Sequence, residues 1–239
     1  MYKNKKILGI ITARGESKNI PKKNIKIFAG KPLIAYTILA AKKSKYLTDF
    51  IVSTDSQKIF NIAKKYGAPV PFLRPRKLAT DTSTSIQVVN HTLNFLKTSQ
   101  KKSYDYVMIL QPTSPLRTAK DIDQCIKKIV DTKADSVMSM VELTDFSLPK
   151  LKRIQKNGNI IPLLKKEAKQ PRRRQAAEKI YRRNCAVYLT KTQFILKNDL
   201  FGKISKAYIM PGQRSIDINS IFDFQLAEFL FKKNHYGKN

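Results

Sequence analysis

Short apolar runs alternate along this chain with longer stretches in which apolar residues return every three or four positions. "KILGIITA" at residues 6–13 is a brief β-branched run that ends in a polar loop, which predicts a buried strand. "PLIAYTILAAKKS" at 32–44 places Pro32 in a first turn and repeats apolar contacts through Leu33, Tyr36, Thr37 and Ala40, the pattern of a helix. "DFIVSTD" at 49–55 predicts the next strand, with Asp55-Ser56 as a cap for the helix "QKIFNIAKKYG" and Gly67 closing it. "PVPFL" at 69–73 suggests a short edge strand because of its prolines. A polar stretch, "ATDTSTS", leads into a helix over 85–99. "YDYVMIL" at 104–110 is a strand followed by "QPTSPLR", "AKDIDQCIKKIVDTK" an amphipathic helix, and "DSVMSMV" another strand.

Strands of buried type that alternate with helices call for a mainly parallel sheet with helices on both faces. Right-handed crossovers bring the loops after the strands to one edge of that sheet. Loops 14–24, 74–85 and 111–117 are therefore expected to meet where open α/β sheets bind ligands. The rhythm breaks from about 143 to 182. An Asn157-Gly158 turn there predicts a hairpin, and the segment is too small for a core of its own, so we expect an inserted arm that leans on a second subunit. "NCAVYLT" and "AYIM" return as strands, and "SIFDFQLAEFLFKK", with Ser220 as cap, is a closing helix.

The length of 239 residues suits one α/β domain carrying that arm, and 42% hydrophobic residues are enough for a core. The net charge of +30 invites a nucleic-acid reading. Lysine and arginine are spread along the whole chain, however, and no zinc spacing, helix-turn-helix or RNP-type strand is present, so solvated charged faces are the plainer explanation. Cys125 and Cys185 are the only cysteines and make neither a disulfide framework nor a metal motif, which fits reduced thiols in a cytoplasmic protein. No signal peptide is read at the N-terminus, and no apolar stretch approaches the roughly 20 residues of a membrane span.

The loop "ARGESKNIPKKN" after the first strand gathers Arg14, Lys18, Lys22 and Lys23, which points to an anion. Phosphates are held by such cations together with backbone N–H groups at a loop-to-helix junction, and Gly15 gives the loop freedom to approach. The loop is neither a Walker A motif nor a dinucleotide fingerprint. A solvated basic loop is the bland alternative.

"ARGESKNIPKKN" with "GKPLIAYTI", then "VSTD", "FLRP", "QPTSPLR" and "SIDIN...DFQLAE", resembles the N-acylneuraminate cytidylyltransferases over residues 7 to about 231. CMP-Kdo synthetases share a similar first loop but lack the pair "PKKN" and "QPTSPLR". The resemblance implies a three-layer α/β/α Rossmann-like nucleotidyltransferase fold, a homodimer, and the condensation of CTP with a nine-carbon 2-keto sugar acid, with Mg2+ as cofactor. It implies that Arg14, Gly15, Ser17, Lys23 and Asn24 hold the triphosphate, with Lys23 nearest the departing phosphates. Arg74, Ser83 and Ser85 would contact cytidine and ribose, although Ser83 and Ser85 also read as helix caps. Gln111 and Asn184 would face the sugar, while Arg117 braces its loop. Arg172 of "QPRRRQ" and Lys150 of "LPK" would reach the sugar carboxylate from the partner's arm, leaving Arg173 and Arg174 as solvated charge.

Asp217 would be the metal ligand and, with Lys23 and Arg14, catalytic. In an extended "SIDIN" Asp217 and residue 219 share a side, but Asn219 stands where the family usually has a second aspartate, which makes it a weaker ligand. "YRRNCAVYL" resembles the family's "FRPNGAIYI", with Arg183 in place of proline and Cys185 in place of glycine. His91 and His235 have no partner in the sequence. Three alternatives stand beside this reading: the same reaction on legionaminic or pseudaminic acid, a basic RNA-binding protein on the same scaffold, and an inactive relative kept as an interaction module.

Overall fold

The computed structural model describes residues 1–144, 151–163 and 179–236. Strand β1, Ile7–Thr12, is the axis of the molecule, and Ile7, Leu8, Ile10 and Ile11 are wholly buried. Each such side chain contributes about 1.5–3 kcal/mol when taken out of water, so this strand must lie mid-sheet. It pairs in parallel with β4, Asp49–Ser53, on one side and with β5, Tyr106–Leu110, on the other. The six-stranded sheet continues through β9, Tyr181–Lys191, and β6, Ser136–Glu142, to β10, Ser205–Ile209, in the order β10-β6-β9-β5-β1-β4.

Alternation along β1 sorts the core into two layers. Ile7 and Ile11 meet residues of α1, Leu33–Lys42, α2, Gln57–Lys65, and α4, Ala119–Thr132. Leu8 and Ile10 face Val89, Leu93 and Leu96 of α3, Ser85–Gln100, and Ile195 of the short α5, Thr192–Ile195. The expected α/β/α sandwich is therefore present. A third cluster joins Ile20, Phe28, Leu116 and Ile218 to Phe224 and Ala227 of α6, Ile221–Tyr236. Phe28 belongs to a small ribbon that was not expected, β2, Ile27–Phe28, against β3, Lys31–Pro32.

One strand direction that the sequence left open is fixed, and two local expectations change. Strand β9 runs antiparallel to both neighbours, because the chain re-enters the sheet at the same edge at which β6 left it, Tyr181 pairing with Glu142. "PVPFL" is not a strand: Pro69 and Pro71 cannot donate to a ladder, and only Leu73 bridges Thr54. Residues 215–219 carry no strand either.

Within the segment expected to form an arm, the hairpin is as expected. β7, Lys152–Ile154, pairs antiparallel with β8, Ile160–Pro162, around a turn in which Gly158 has φ of 85°. Lys150, Arg172, Arg173 and Arg174 lie outside the described residues, as does the side chain of His235.

Candidate active site

The three polar loops do meet. The loop after β1, residues 74–85 between α2 and α3, and the loop after β5 enclose a cavity of about 250 Å³ at the carboxyl edge of the parallel strands. Its lining includes Arg14, Ser17, Lys23, Asn24, Arg74, Ser83, Ser85 and Gln111. Several of these side chains are placed by local devices. Asn24 is buried, and its Nδ2 donates to Arg14 O at 2.9 Å, which closes the first loop on itself. Gly15 N–H donates to Asp55 Oδ1 at 3.0 Å. Arg74 is buried beside the same acid, its Nη2 donating to Asp55 Oδ1 at 3.3 Å. Burial pushes the Arg74 guanidinium below its ordinary value, and Asp55 opposes that shift.

In the same loop Thr84, not Ser83 or Ser85, caps α3: its side chain accepts from Gln87 N–H, and Gln87 Oε1 accepts from Thr84 N–H. Ser83 Oγ is engaged within its own loop, with Thr80 and Lys77 O.

Lys23 links this cavity to the acidic segment before α6. Its Nζ donates to Ile218 O at 2.7 Å. Burial lowers the Lys23 pKa from its ordinary value; Asp217 and Asp223 counter this, and Arg14 adds to it. Asn19 Nδ2 also donates to Asn219 O at 3.1 Å, so the first loop grips residues 218 and 219 together. Although the segment is not a strand, Asn219 Nδ2 reaches Asp217 Oδ2 at 3.0 Å. Asp217 Oδ1 is buried with no hydrogen-bond partner among the described residues.

An unsatisfied buried carboxylate oxygen behind a phosphate-type loop suits a hard divalent cation held by one protein acid and otherwise by ligand oxygens and water. Among the described residues no group of three or more His, Cys, Asp or Glu gathers as a self-sufficient metal cage.

The model of the cytidylyltransferase family matches residues 8–236. The chain belongs to the cytidylyltransferase family. A pseudaminic acid cytidylyltransferase of Campylobacter jejuni is 34% identical over 231 residues, spanning 96% of this chain and 98% of that one. A CMP-N,N'-diacetyllegionaminic acid synthase of Legionella pneumophila is 36% identical over 234 residues, spanning 96% and 97%. In fold the chain is similar to a CMP:2-keto-3-deoxy-manno-octonic acid synthetase complexed with CTP, with a TM-score of 0.68 and 14% identity over 96% of this chain and 99% of that one. The family likeness drawn from the sequence blocks, and the nucleotidyltransferase fold it implied, both hold.

Several cytidylyltransferase residues have surroundings that sequence reasoning did not foresee. Asn184, expected to face the sugar, is wholly buried instead. Its Nδ2 contacts Ser215 Oγ at 2.9 Å and Met210 Sδ at 3.2 Å, and its Oδ1 accepts from Ala186 N–H at 3.3 Å, so it braces the approach to Asp217. Arg117 is buried and braces as expected, through Nη1 bonds to Gln111 O at 3.2 Å and Ala186 O at 2.7 Å. Burial brings its guanidinium down to about 10.

Cys185 lies in a bulge of β9 opposite Ser139, at φ of 61°, a conformation that suits glycine better. Its thiol is pushed up by burial and accepts from Tyr188 OH at 3.2 Å. Asp81 was missed altogether. Its two carboxylate oxygens take Arg14 Nη1 and Lys18 Nζ, each at 2.8 Å, which ties the first loop to the second. The signal was an acid within a polar loop facing a cationic one, and only the fold pairs them.

Proposed function

We propose that this cytidylyltransferase-family chain joins CTP to a nonulosonic acid, giving a CMP-sugar and pyrophosphate. The observation that carries the reading is the convergence of Arg14, Lys23, Arg74, Ser83, Ser85 and Gln111 on one cavity at the sheet's carboxyl edge. The anomeric oxygen of the sugar attacks the α-phosphorus of CTP. A new O–P bond forms, the bond to the β-phosphate oxygen breaks, and the hydroxyl proton passes to base or solvent. Charge grows on the departing pyrophosphate, so fixed cations matter more than a covalent nucleophile.

Lys23, desolvated and held by Ile218 O, is placed to meet that charge, with Arg14 beside it. Gly15, Ser17 and Asn24 shape the loop around the phosphates. Arg74, Ser83 and Ser85 receive the nucleoside. Gln111, whose amide both donates and accepts, suits sugar hydroxyls. Asp217 would hold Mg2+ through its unpartnered oxygen, with Asn219 steadying it. When bound, the ion would neutralise phosphate charge and favour loss of the hydroxyl proton.

We further propose a homodimer in which the partner's arm brings Arg172 and Lys150 to the sugar carboxylate, and a cytoplasmic location, where CTP is available. Among the described residues no helix is long and apolar enough to cross a membrane. The relatives' names make pseudaminic and legionaminic acids the first sugars to test, with N-acylneuraminate and Kdo beside them. Pyrophosphate release from CTP is expected with at least one of the nine-carbon acids and not with CTP alone. A chain that binds RNA but releases no pyrophosphate with any of the four overturns the reading.

A further inference from the structure

The segment Thr54-Asp55-Ser56 at the end of β4 touches two walls of the cavity at once. Asp55 Oδ1 accepts from Gly15 N–H at 3.0 Å and from Arg74 Nη2 at 3.3 Å, so a single oxygen links the first loop to the second. The loops are pressed together here: a Cβ on Gly15 would fall 2.9 Å from Ser56 Cβ. The backbone around Asp55 is fixed independently. Arg74 N–H donates to Thr54 O at 2.7 Å, Ser56 N–H donates to Thr54 Oγ1 at 3.2 Å, and the Ser56 side chain caps α2. Asp55 is thus held rigidly, and its carboxylate is left to orient what lies on either side.

Arg74 needs this acid. Its side chain is 4% exposed, and its Nε has no hydrogen-bond partner among the described residues. Removing one partner of a buried ion pair strands the other charge in low dielectric. On the proposed reading Gly15 belongs to the phosphate-binding loop and Arg74 to the nucleoside side of the cavity.

We propose that Asp55 is a positioning residue that sets the spacing between the phosphate-binding loop and Arg74, so that both ends of the nucleotide are gripped together. It acts through Gly15 and Arg74 and does not itself contact substrate. The proposal rests on the nucleotide reading above.

Two substitutions separate the two contacts. Asp55→Asn keeps an oxygen for the Gly15 N–H and removes the charge facing Arg74, whereas Asp55→Ala removes both. Calorimetric binding of CTP and of inorganic tripolyphosphate to the full chain distinguishes them. Asp55→Asn is expected to weaken CTP about tenfold and to leave tripolyphosphate within about twofold. Asp55→Ala is expected to weaken both. Arg74→Lys should weaken CTP alone, and the double variant Asp55→Asn/Arg74→Lys should lose no more than Arg74→Lys does. Such non-additivity marks two residues acting as one and is not produced by general loosening.

Thermal unfolding checks that each variant is folded; if Asp55→Ala is not, Asp55→Asn and Arg74→Lys carry the test. Wild-type protein that binds CTP while Asp55→Asn binds it equally well, or losses that simply add, would overturn this inference and leave the proposed function standing. Wild-type protein that does not take up CTP overturns both.

Discussion

Lys23 carries its charge where water reaches it only in part, and that is the central fact at the scale of single residues. Burial makes the ammonium less favourable than in solution, and Asp217 and Asp223 restore some of that loss. A triphosphate would restore more. Because the protonated form is the one that meets phosphate, kcat/KM should fall as pH rises through a value below the ordinary lysine pKa of about 10.4. In the substrate complex the anion favours the cation, so the alkaline limb of kcat should lie at higher pH than that of kcat/KM. Pyrophosphate release followed across pH checks both limbs, and an unshifted limb would remove Lys23 from the chemistry. Lys23→Ala should abolish turnover and leave the unfolding midpoint within a few degrees, since the side chain is half-buried and gives up one hydrogen bond.

That Lys23 lines the cavity at the sheet edge was legible in the sequence, because cations that directly follow a buried strand need an anion to explain them. The partners of Asp81 and Asn184 were not. A carboxylate or amide reads alike whether it faces substrate or a neighbouring loop, and only the fold decides which.

Among the elements, α4 and the turn before the acidic segment are tied through one side chain. Asp121 Oδ2 accepts from Thr118 N–H at 2.8 Å and from Thr118 Oγ1 at 2.7 Å, completing a capping box. The same carboxylate takes Arg214 Nη1, and its Oδ1 accepts from Tyr208 OH at 3.0 Å. Burial would raise the Asp121 pKa, but the bonds from Arg214 and Thr118 outweigh it and hold the group below its ordinary value. Its stabilisation is therefore fully present above the unfolded pKa of about 3.9 and is lost as pH falls through the lower folded value. Asp121→Asn is expected to cost about 2–4 kcal/mol at neutral pH, a cap and a buried ion pair together. Denaturant melts at pH 7 and pH 3 check this: the gap between wild type and variant should shrink at the lower pH.

The elements themselves were largely readable, since β1, β4 and β5 are short runs buried on both faces and α4 has a clear apolar stripe. The direction of β9 was not readable. Strand polarity depends on which end the chain re-enters from, and side-chain pattern carries no record of that. The bulge at Cys185 was hidden for a similar reason: a positive φ at a non-glycine residue leaves no mark in hydrophobic periodicity.

For the molecule as a whole, the excess of +30 charges remains spread over many faces, and the described cavity takes only a few of them. An anionic substrate is drawn by that field over distances near a Debye length, so its capture should weaken with salt. The β7–β8 hairpin exposes Ile154 and Ile160 at 77% and 68%, an apolar pair unsuited to water. If the arm docks on a second copy, as we propose, light scattering should give twice the 27.4 kDa chain mass. Ile154→Glu combined with Ile160→Glu should shift that mass toward the monomer and raise KM for the sugar acid more than for CTP. A wild-type monomer that is fully active would contradict the shared site. An arm that docks on a second copy is an expectation drawn from the broken rhythm and small size of residues 143–182, because any docking surface would belong to another chain.

The most direct test of the whole account is a crystal structure of the protein with CTP and Mg2+. The triphosphate is expected within hydrogen-bond reach of Arg14, Lys23 and the Gly15 loop, the nucleoside against Arg74, Ser83 and Ser85, and the ion on Asp217. CTP bound elsewhere, or a cavity without nucleotide at saturating CTP, would contradict it.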